Sequence, residues 1–366
     1  MSSGTYTLGT LDGRLNRAQT LLVIERLRAA HPRAIFDMVT VSDPRTNRQS
    51  ASELYCAHSA AEIEMLLARL LAGEFQLLDV AAEDIVRPLP GGLVVAAVPE
   101  RNTPFDALLH KGGSIADDLE DGTRVGVLSR RSMAQIHQLW PQLKPKLLYG
   151  GAVEALDAYL QDEAVDCLVM PAAIAERLGV QDIVTEIFFP EMTLPGAGQG
   201  LIAIVARAGD AEVLGMVGAV DSPQSRAEMT AELAFRERIC SDQDCPLGVL
   251  AQAGEDSLII TGAVGSLHGH SMNQAVLRGP SGEAAALGAR LAEQLLLNTA
   301  SLIDLLEADF PEGLPVEIED GEATPPEADG IHEENLPEDL DEEDGEFKDG
   351  GEDPYDDDYV VPRDDY

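Results

Sequence analysis

The chain has 366 residues, enough for two or three domains with sizeable cores. Its 25 Lys and Arg against 65 Asp and Glu leave a formal net charge of −40. That balance argues against general affinity for nucleic acid or anionic membrane, because neutralising phosphates takes clustered cations. Four cysteines (Cys56, Cys167, Cys240, Cys245) are too few for a disulfide framework in so long a chain. With no signal-peptide pattern and no apolar run near the roughly 18 residues a membrane span needs, the chain reads as soluble and cytoplasmic.

Short apolar runs alternate with helical patterns from the start. Residues 19–30 (QTLLVIERLRAA) carry apolar side chains at helical spacing and are stopped by His31-Pro32. Residues 34–40 read as a strand, and 42–58 as a polar, turn-rich, mobile loop. Residues 60–72 are helical, closed by Gly73, and 76–81 and 93–98 read as buried strands. This alternation predicts a mostly parallel sheet. The pattern repeats beyond Arg101: a strand over 124–128, a helix from about Ser132, a helix over 153–160 and a strand over 164–170. After Val205 the texture changes to a charged helix over 226–238, strands over 258–264 and 275–278, and a long Ala/Leu helix over 284–306. The expected organisation is therefore an α/β lobe from 1–99 plus 196–217, a second from 100–195, and an α+β unit over 218–309.

From Pro311 onward the chain holds 24 acids and two bases (Lys348, Arg363), so this stretch supplies 22 of the 40 net negative charges. It lacks the apolar surface to repay chain ordering and is expected to be a disordered, solvated tail over 310–366, with a protein partner as the minority reading. His268 and His270 could ligate a metal, but alternate strand residues facing one way are more often polar surface, and no metal is expected. Trp140 and Cys167 read as core residues.

The most informative segment is Thr193-Leu-Pro-Gly-Ala-Gly-Gln-Gly200, where three glycines around Gln199 allow close backbone approach to a neighbour. With VDSPQSRAEMTAELAF (220–235), ERNTPFDALL (100–109) and LGT at 8–10 followed by Gln19, it resembles the porphobilinogen deaminase (hydroxymethylbilane synthase) family over nearly all of 7–309. The resemblance implies two periplasmic-binding-protein-like α/β lobes around a cleft plus a small α+β C-terminal domain. It also implies a reaction that joins four porphobilinogen units into a linear tetrapyrrole, with loss of ammonia at each step. The growing chain is held on a covalent dipyrromethane cofactor. Such chemistry needs an acid, fixed cations for the substrate's carboxylates, and a sulfur anchor.

Residue by residue, the resemblance carries over unevenly. The family's His-Ser-x-Lys-Asp-x-Pro falls on Val80, Ala81, Glu83, Asp84 and Val86, so Asp84 keeps the catalytic carboxylate while Glu83 replaces a cation. A plain polar loop residue is the alternative reading of Asp84. The family's Gly-Thr-Ser-Ser-Leu-Arg-Arg falls on 126–132, making Ser129, Arg130 and Arg131 the candidate clamp with Gly198 and Gln199. Without a gap only Arg131 lands on an arginine position, and with a one-residue deletion both arginines do. Leu11, Phe105 and Tyr149 stand where the family has arginines, and Gly13 where it has serine. The family's cofactor cysteine position is Gln243, leaving Cys245 or Cys240 as displaced anchors, or as incidental loop cysteines with a disulfide between them as one form of that reading. Acids at 242 and 244 would disfavour a thiolate there. Two readings follow: a divergent or inactive paralogue, favoured by change concentrated at substrate-facing positions, and an active synthase using Asp84 and a relocated cysteine.

Overall fold

The computed structural model describes residues 4–42, 60–85, 87–161, 165–239, 246–266 and 272–298. Most of the turn-rich segment at 42–58, Cys56, Cys240, Gln243, Cys245, His268, His270 and the acidic tail therefore lie outside the described residues.

Among the described residues the chain forms three sheets. β1 (Thr5–Leu11), α1 (Arg14–Ala30), β2 (Ile35–Val41), α2 (Ala60–Ala72), β3 (Leu77–Ala81) and β4 (Leu93–Ala97) begin the first. The chain then crosses into β5 (Asp106–Leu109), β6 (Arg124–Val127), α3 (Arg130–Leu139), β7 (Lys144–Leu147), α4 (Ala152–Leu160), β8 (Cys167–Pro171), α5 (Ala172–Arg177) and β9 (Val184–Phe188). It returns as β10 (Ile202–Arg207) and α6 (Ala211–Val217). It ends with α7 (Pro223–Ile239), a meander of β11 (Leu247–Ala253), β12 (Ser257–Gly265) and β13 (Met272–Pro280), and α8 (Ala284–Asn298).

The first sheet runs β2-β1-β3-β10-β4 and the second β7-β6-β8-β5-β9. Each has one reversed strand, β10 or β5, antiparallel to both its neighbours. In both cases it is the strand delivered by a crossing from the other lobe. Two connections, at about 98–105 and 189–201, thus join two similar lobes, and the mostly parallel expectation holds for four strands in each sheet. Apolar clusters cover both faces of each sheet: Leu66, Leu70 and Val205 on one face of the first, Val23, Ile24 and Ile204 on the other. Leu156 and Tyr159 cover one face of the second, with Trp140, Cys167 and Phe188 on the other. Trp140 packs 5.3 Å from Phe188, and its Nε1 donates to Asp117 at 2.6 Å. Burial pushes the Cys167 thiol up to about 12, a core residue without nucleophilic character.

Several boundaries differ from the periodicity. α1 starts at Arg14 because Gly13 provides the extended cap residue ahead of Leu15. α3 starts at Arg130 rather than near Ser132, because Ser129 caps it by accepting the Ser132 N–H at 3.1 Å. The strand expected over 164–170 is Cys167–Pro171, and α7 starts three residues before 226 because Pro223 fits the first helical position. The four- to seven-residue strands β5, β7, β9 and β11 gave no separable apolar signal at that length. No described helix is long and apolar enough to cross a membrane.

One buried carboxylate joins the parts. Glu232 of α7 is fully buried and accepts from the Gly198 N–H at 2.8 Å, the Ala251 N–H at 2.8 Å, and Arg101 Nη1 and Nη2 at 2.6 and 3.1 Å. Arg101 also donates to the Gln199 carbonyl through Nε and Nη2 at 3.1 and 2.8 Å. One crossing contributes Arg101, the other contributes Gly198 and Gln199, and the C-terminal domain contributes Glu232 and Ala251. Neutralising one member of such a pair strands the other charge. Glu232→Gln is expected to cost about 3–5 kcal/mol in urea unfolding. Combining it with Arg101→Met should cost about 1–3 kcal/mol less than the sum of the two single changes.

Candidate functional site

At the C-terminal end of β3 the chain turns through a short 3-10 segment, Ala82–Asp84. Its backbone is held from two sides. The Ala82 N–H donates to the Leu201 carbonyl at 3.0 Å, and Arg236 Nη1 donates to the Glu83 carbonyl at 2.7 Å. Gly198, at φ +85°, presses directly on it: a Cβ there would lie 2.9 Å from the Glu83 nitrogen and 3.0 Å from the Ala82 carbonyl carbon. The glycine-rich loop is therefore part of the wall that sets the turn, and its glycine is required by both φ and space.

The turn presents Glu83 and Asp84, the latter only 7 % exposed. Burial and the adjacent Asp84 charge raise the Glu83 carboxyl from its ordinary 4.5 to about 7, against the opposing pull of Arg177, Arg236 and Arg131. These three guanidiniums come from α5, α7 and α3, so both the second lobe and the C-terminal domain face a carboxyl pair from the first lobe. Arg177 also donates to Gln19 Oε1 at 2.9 Å, and Gln19 donates to Asp79 of β3 at 3.1 Å. That chain of polar groups explains why α1 buries Gln19 and Thr20 on its packed face. Arg177 and Arg236 were not singled out by sequence reasoning. Both lie outside the glycine-rich, carboxylate and arginine-pair motifs, and nothing in local periodicity separates them from surface arginines.

The candidate clamp residues are arranged around Asp106 of β5. Arg131 grips it bidentately, Nη1 and Nη2 lying 2.8 and 3.2 Å from its two oxygens, and also donates to the Leu194 carbonyl at 2.8 Å. Gln199 donates from Nε2 to Asp106 at 2.9 Å and the Pro104 carbonyl at 2.7 Å. Its Oε1 accepts from the Gly196 N–H at 3.1 Å and Arg131 Nη2 at 3.3 Å. All four hydrogen-bonding positions of Gln199 are thus met within the protein, which makes it a latch between the two crossings. Ser129 caps α3, and Arg130, the next residue, is partly exposed. Arg131 is buried against Asp106, whereas Arg130 is only partly buried. Leu11 belongs to the first lobe's core, Tyr149 is exposed, and Phe105 meets Phe189 edge-on at 5.6 Å. Cys240, Gln243 and Cys245 lie outside the described residues, but the chain leaves α7 at Ile239, one turn beyond Arg236.

The raised Glu83 value has a definite sign for stability. Below about 4.5 the carboxyl is protonated whether folded or unfolded. As pH rises from there to about 7 only the folded chain holds the proton, and stability drains away. The whole loss, of order 3 kcal/mol, is in place above 7. Glu83→Gln should therefore match the parent in urea unfolding near pH 4.5 and exceed its stability at pH 8, with a flatter profile between.

Against this geometry, comparison with known proteins is unambiguous in one respect. Residues 6–215 match the family model described as "Porphobilinogen deaminase, dipyromethane cofactor binding domain". A porphobilinogen deaminase of Roseiflexus castenholzii is 35% identical over 295 residues, covering 80% of this chain and 96% of that relative. A porphobilinogen deaminase of Pelotomaculum thermopropionicum is 32% identical, covering 79% and 92%. Among solved structures, the match to the methionine-binding protein MetQ covers 62% of this chain and 93% of that one at a TM-score of 0.37 and 15% identity. The chain belongs to the porphobilinogen deaminase family of tetrapyrrole synthesis.

Proposed function

We propose that this chain is a divergent hydroxymethylbilane synthase-type transferase that condenses porphobilinogen at the Glu83–Asp84 turn. The observation that carries the reading is the turn itself: a pinned pair of carboxyls on which Arg131, Arg177 and Arg236 act from three other elements. Loss of ammonia from an aminomethylpyrrole leaves an electron-poor cationic carbon, and a fixed anion beside it lowers the barrier to that charge. Asp84 is placed for this role. Glu83, half protonated near pH 7, is able to exchange the proton that leaves the attacked pyrrole carbon when the new carbon–carbon bond forms.

The dipyrromethane group implied by the family supplies, when bound, the free pyrrole carbon that is extended. Its acetate and propionate groups call for guanidinium partners, and the donor set here fits them. Arg177 and Arg236 face the turn, while Arg131 is already engaged by Asp106. An anchor at Cys240 or Cys245 would follow directly from the end of α7. Ser129 and Arg130 at the start of α3, with Gly198 and Gln199 shaping the wall, complete the proposed site. We assign the protein to the cytoplasm without nucleic-acid partners, and assign protein contacts, where they exist, to the acidic tail.

A second reading, a non-catalytic paralogue, is favoured by the commitment of Arg131 to Asp106 and by Leu11, Phe105 and Tyr149 at positions where the resemblance expects arginine. Intact mass and porphobilinogen turnover separate the two. The first predicts a covalent two-pyrrole adduct, lost in Cys240→Ser or Cys245→Ser, with measurable tetrapyrrole formation. Asp84→Asn should then keep the fold and lower turnover by about 10²–10⁴-fold. An unmodified chain that consumes no porphobilinogen would overturn it in favour of the paralogue.

A further inference from the structure

We infer that Arg236 is a positioning residue for Asp84: from the C-terminal domain it holds the peptide group that carries Asp84, so that this domain sets the aim of the candidate catalytic carboxylate. The inference rests on the functional reading above and gives a task within it to a residue that lies outside the motifs.

Arg236 Nη1 donates to the Glu83 carbonyl at 2.7 Å. That carbonyl belongs to the peptide group joining Glu83 to Asp84, and a planar peptide keeps its oxygen, the Asp84 nitrogen and the Asp84 Cα in one plane. A donor held on the oxygen therefore constrains where Asp84 stands. The other restraints described for the turn act ahead of it. The Leu201 carbonyl takes the Ala82 N–H, and Gly198 abuts the Ala82 carbonyl carbon and the Glu83 nitrogen. Beyond Asp84 the chain is incompletely seated. Ile85 is buried with Met229 and Leu233 in the first lobe's core, yet a cavity of about 310 Å³ lies between the segment of Ile85, Pro88 and Leu89 and those two α7 side chains. Atoms that face a void lose partner contacts on that side, so packing leaves slack that a directional bond takes up. The Arg87–Glu237 pair spans the same two elements at 3.3 Å, but both side chains are exposed, where an ion pair contributes little.

Arg236 works from a firm base. Glu232, one helical turn earlier on the same face of α7, is the buried carboxylate that receives Arg101, Gly198 and Ala251. Phe235 is fully buried against Gly262 of β12, and Gly288 of α8 approaches the Ala231 carbonyl too closely for any side chain. A shift of α7 would disturb all of these contacts at once. The position of the three-way junction is thus passed along one helical turn to Arg236, and from its guanidinium to the peptide of Asp84. A donor that carries charge makes this one of the stronger kinds of hydrogen bond.

The test is steady-state turnover of porphobilinogen by the full-length chain and its Arg236→Met, Arg236→Lys and Glu237→Gln variants, with Arg236→Met also made in the Asp84→Asn background. Amide hydrogen exchange over Ala82–Ile85 is followed in the same proteins. Misplacing a reacting group by about 1 Å costs up to about 10²-fold in rate, so Arg236→Met should lower kcat about 10- to 100-fold and leave KM within about threefold. Exchange at the turn should quicken in that variant. Arg236→Lys, which restores a charged donor, should recover most of the lost kcat. Glu237→Gln, a charge removed from the same helix away from the turn, should match the parent. In the Asp84→Asn background Arg236→Met should cost less than about twofold more, because a residue that acts through Asp84 has nothing left to position. A raised KM with kcat preserved overturns the inference, since it marks a guanidinium that binds substrate carboxylates directly. Fully additive losses in the double variant overturn it as well. If the parent forms no tetrapyrrole, the functional reading fails instead, and exchange decides the tether by itself: unchanged protection at the turn in Arg236→Met overturns it.

Discussion

The geometry of the molecule hangs on the buried pair of Arg101 and Glu232. A fully buried carboxylate is tolerable only when its lone pairs are filled, and here four donors fill them. Those donors come from the two crossings between the lobes and from the first strand of the C-terminal sheet. Strength is only part of what this contributes. Two crossings and a third domain are brought to one point with directional bonds, which apolar packing alone would not specify.

From that point the order propagates to the candidate site in two short steps. Gly198, whose N–H is held by Glu232, presses on the Ala82–Asp84 turn. Gln199, whose carbonyl is held by Arg101, uses its side chain to lock Asp106 and the Pro104 carbonyl. Asp106 then fixes Arg131. Residues that look like ligand-facing motif in the linear chain thus act largely by positioning one another. What they position is a carboxyl pair whose field is balanced by arginines from elements far apart in sequence. Burial and the neighbouring Asp84 raise the Glu83 carboxyl well above the usual carboxylate range.

Much of the fold was legible because its helices are long and amphipathic. The apolar faces of α2 and α8 and the buried runs at β3 and β10 are readable from spacing alone. The short strands β5, β7 and β9 were not, since four or five residues carry too little period to distinguish a strand from a loop. The site was legible in the same uneven way. Asp84, Arg131 and the glycine-rich loop stand in recognisable strings. Arg177 and Arg236 do not, and a count of cations confined to those strings understates the positive charge facing the turn.

The amino-acid sequence by itself determined the family, the α/β lobes and the acidic C-terminal stretch. These rest on local pattern and on motifs that survive as contiguous residues. Only the tertiary structure decided what each charged group faces. It shows that Gln199 is saturated, that Arg131 belongs to Asp106, and that Leu11 lies in a core. It also shows Arg236 of α7 donating to the Glu83 carbonyl across the domain boundary. The physical reason is that electrostatic partnership depends on distance and burial, and both are set by crossings between lobes that bring together residues more than a hundred positions apart.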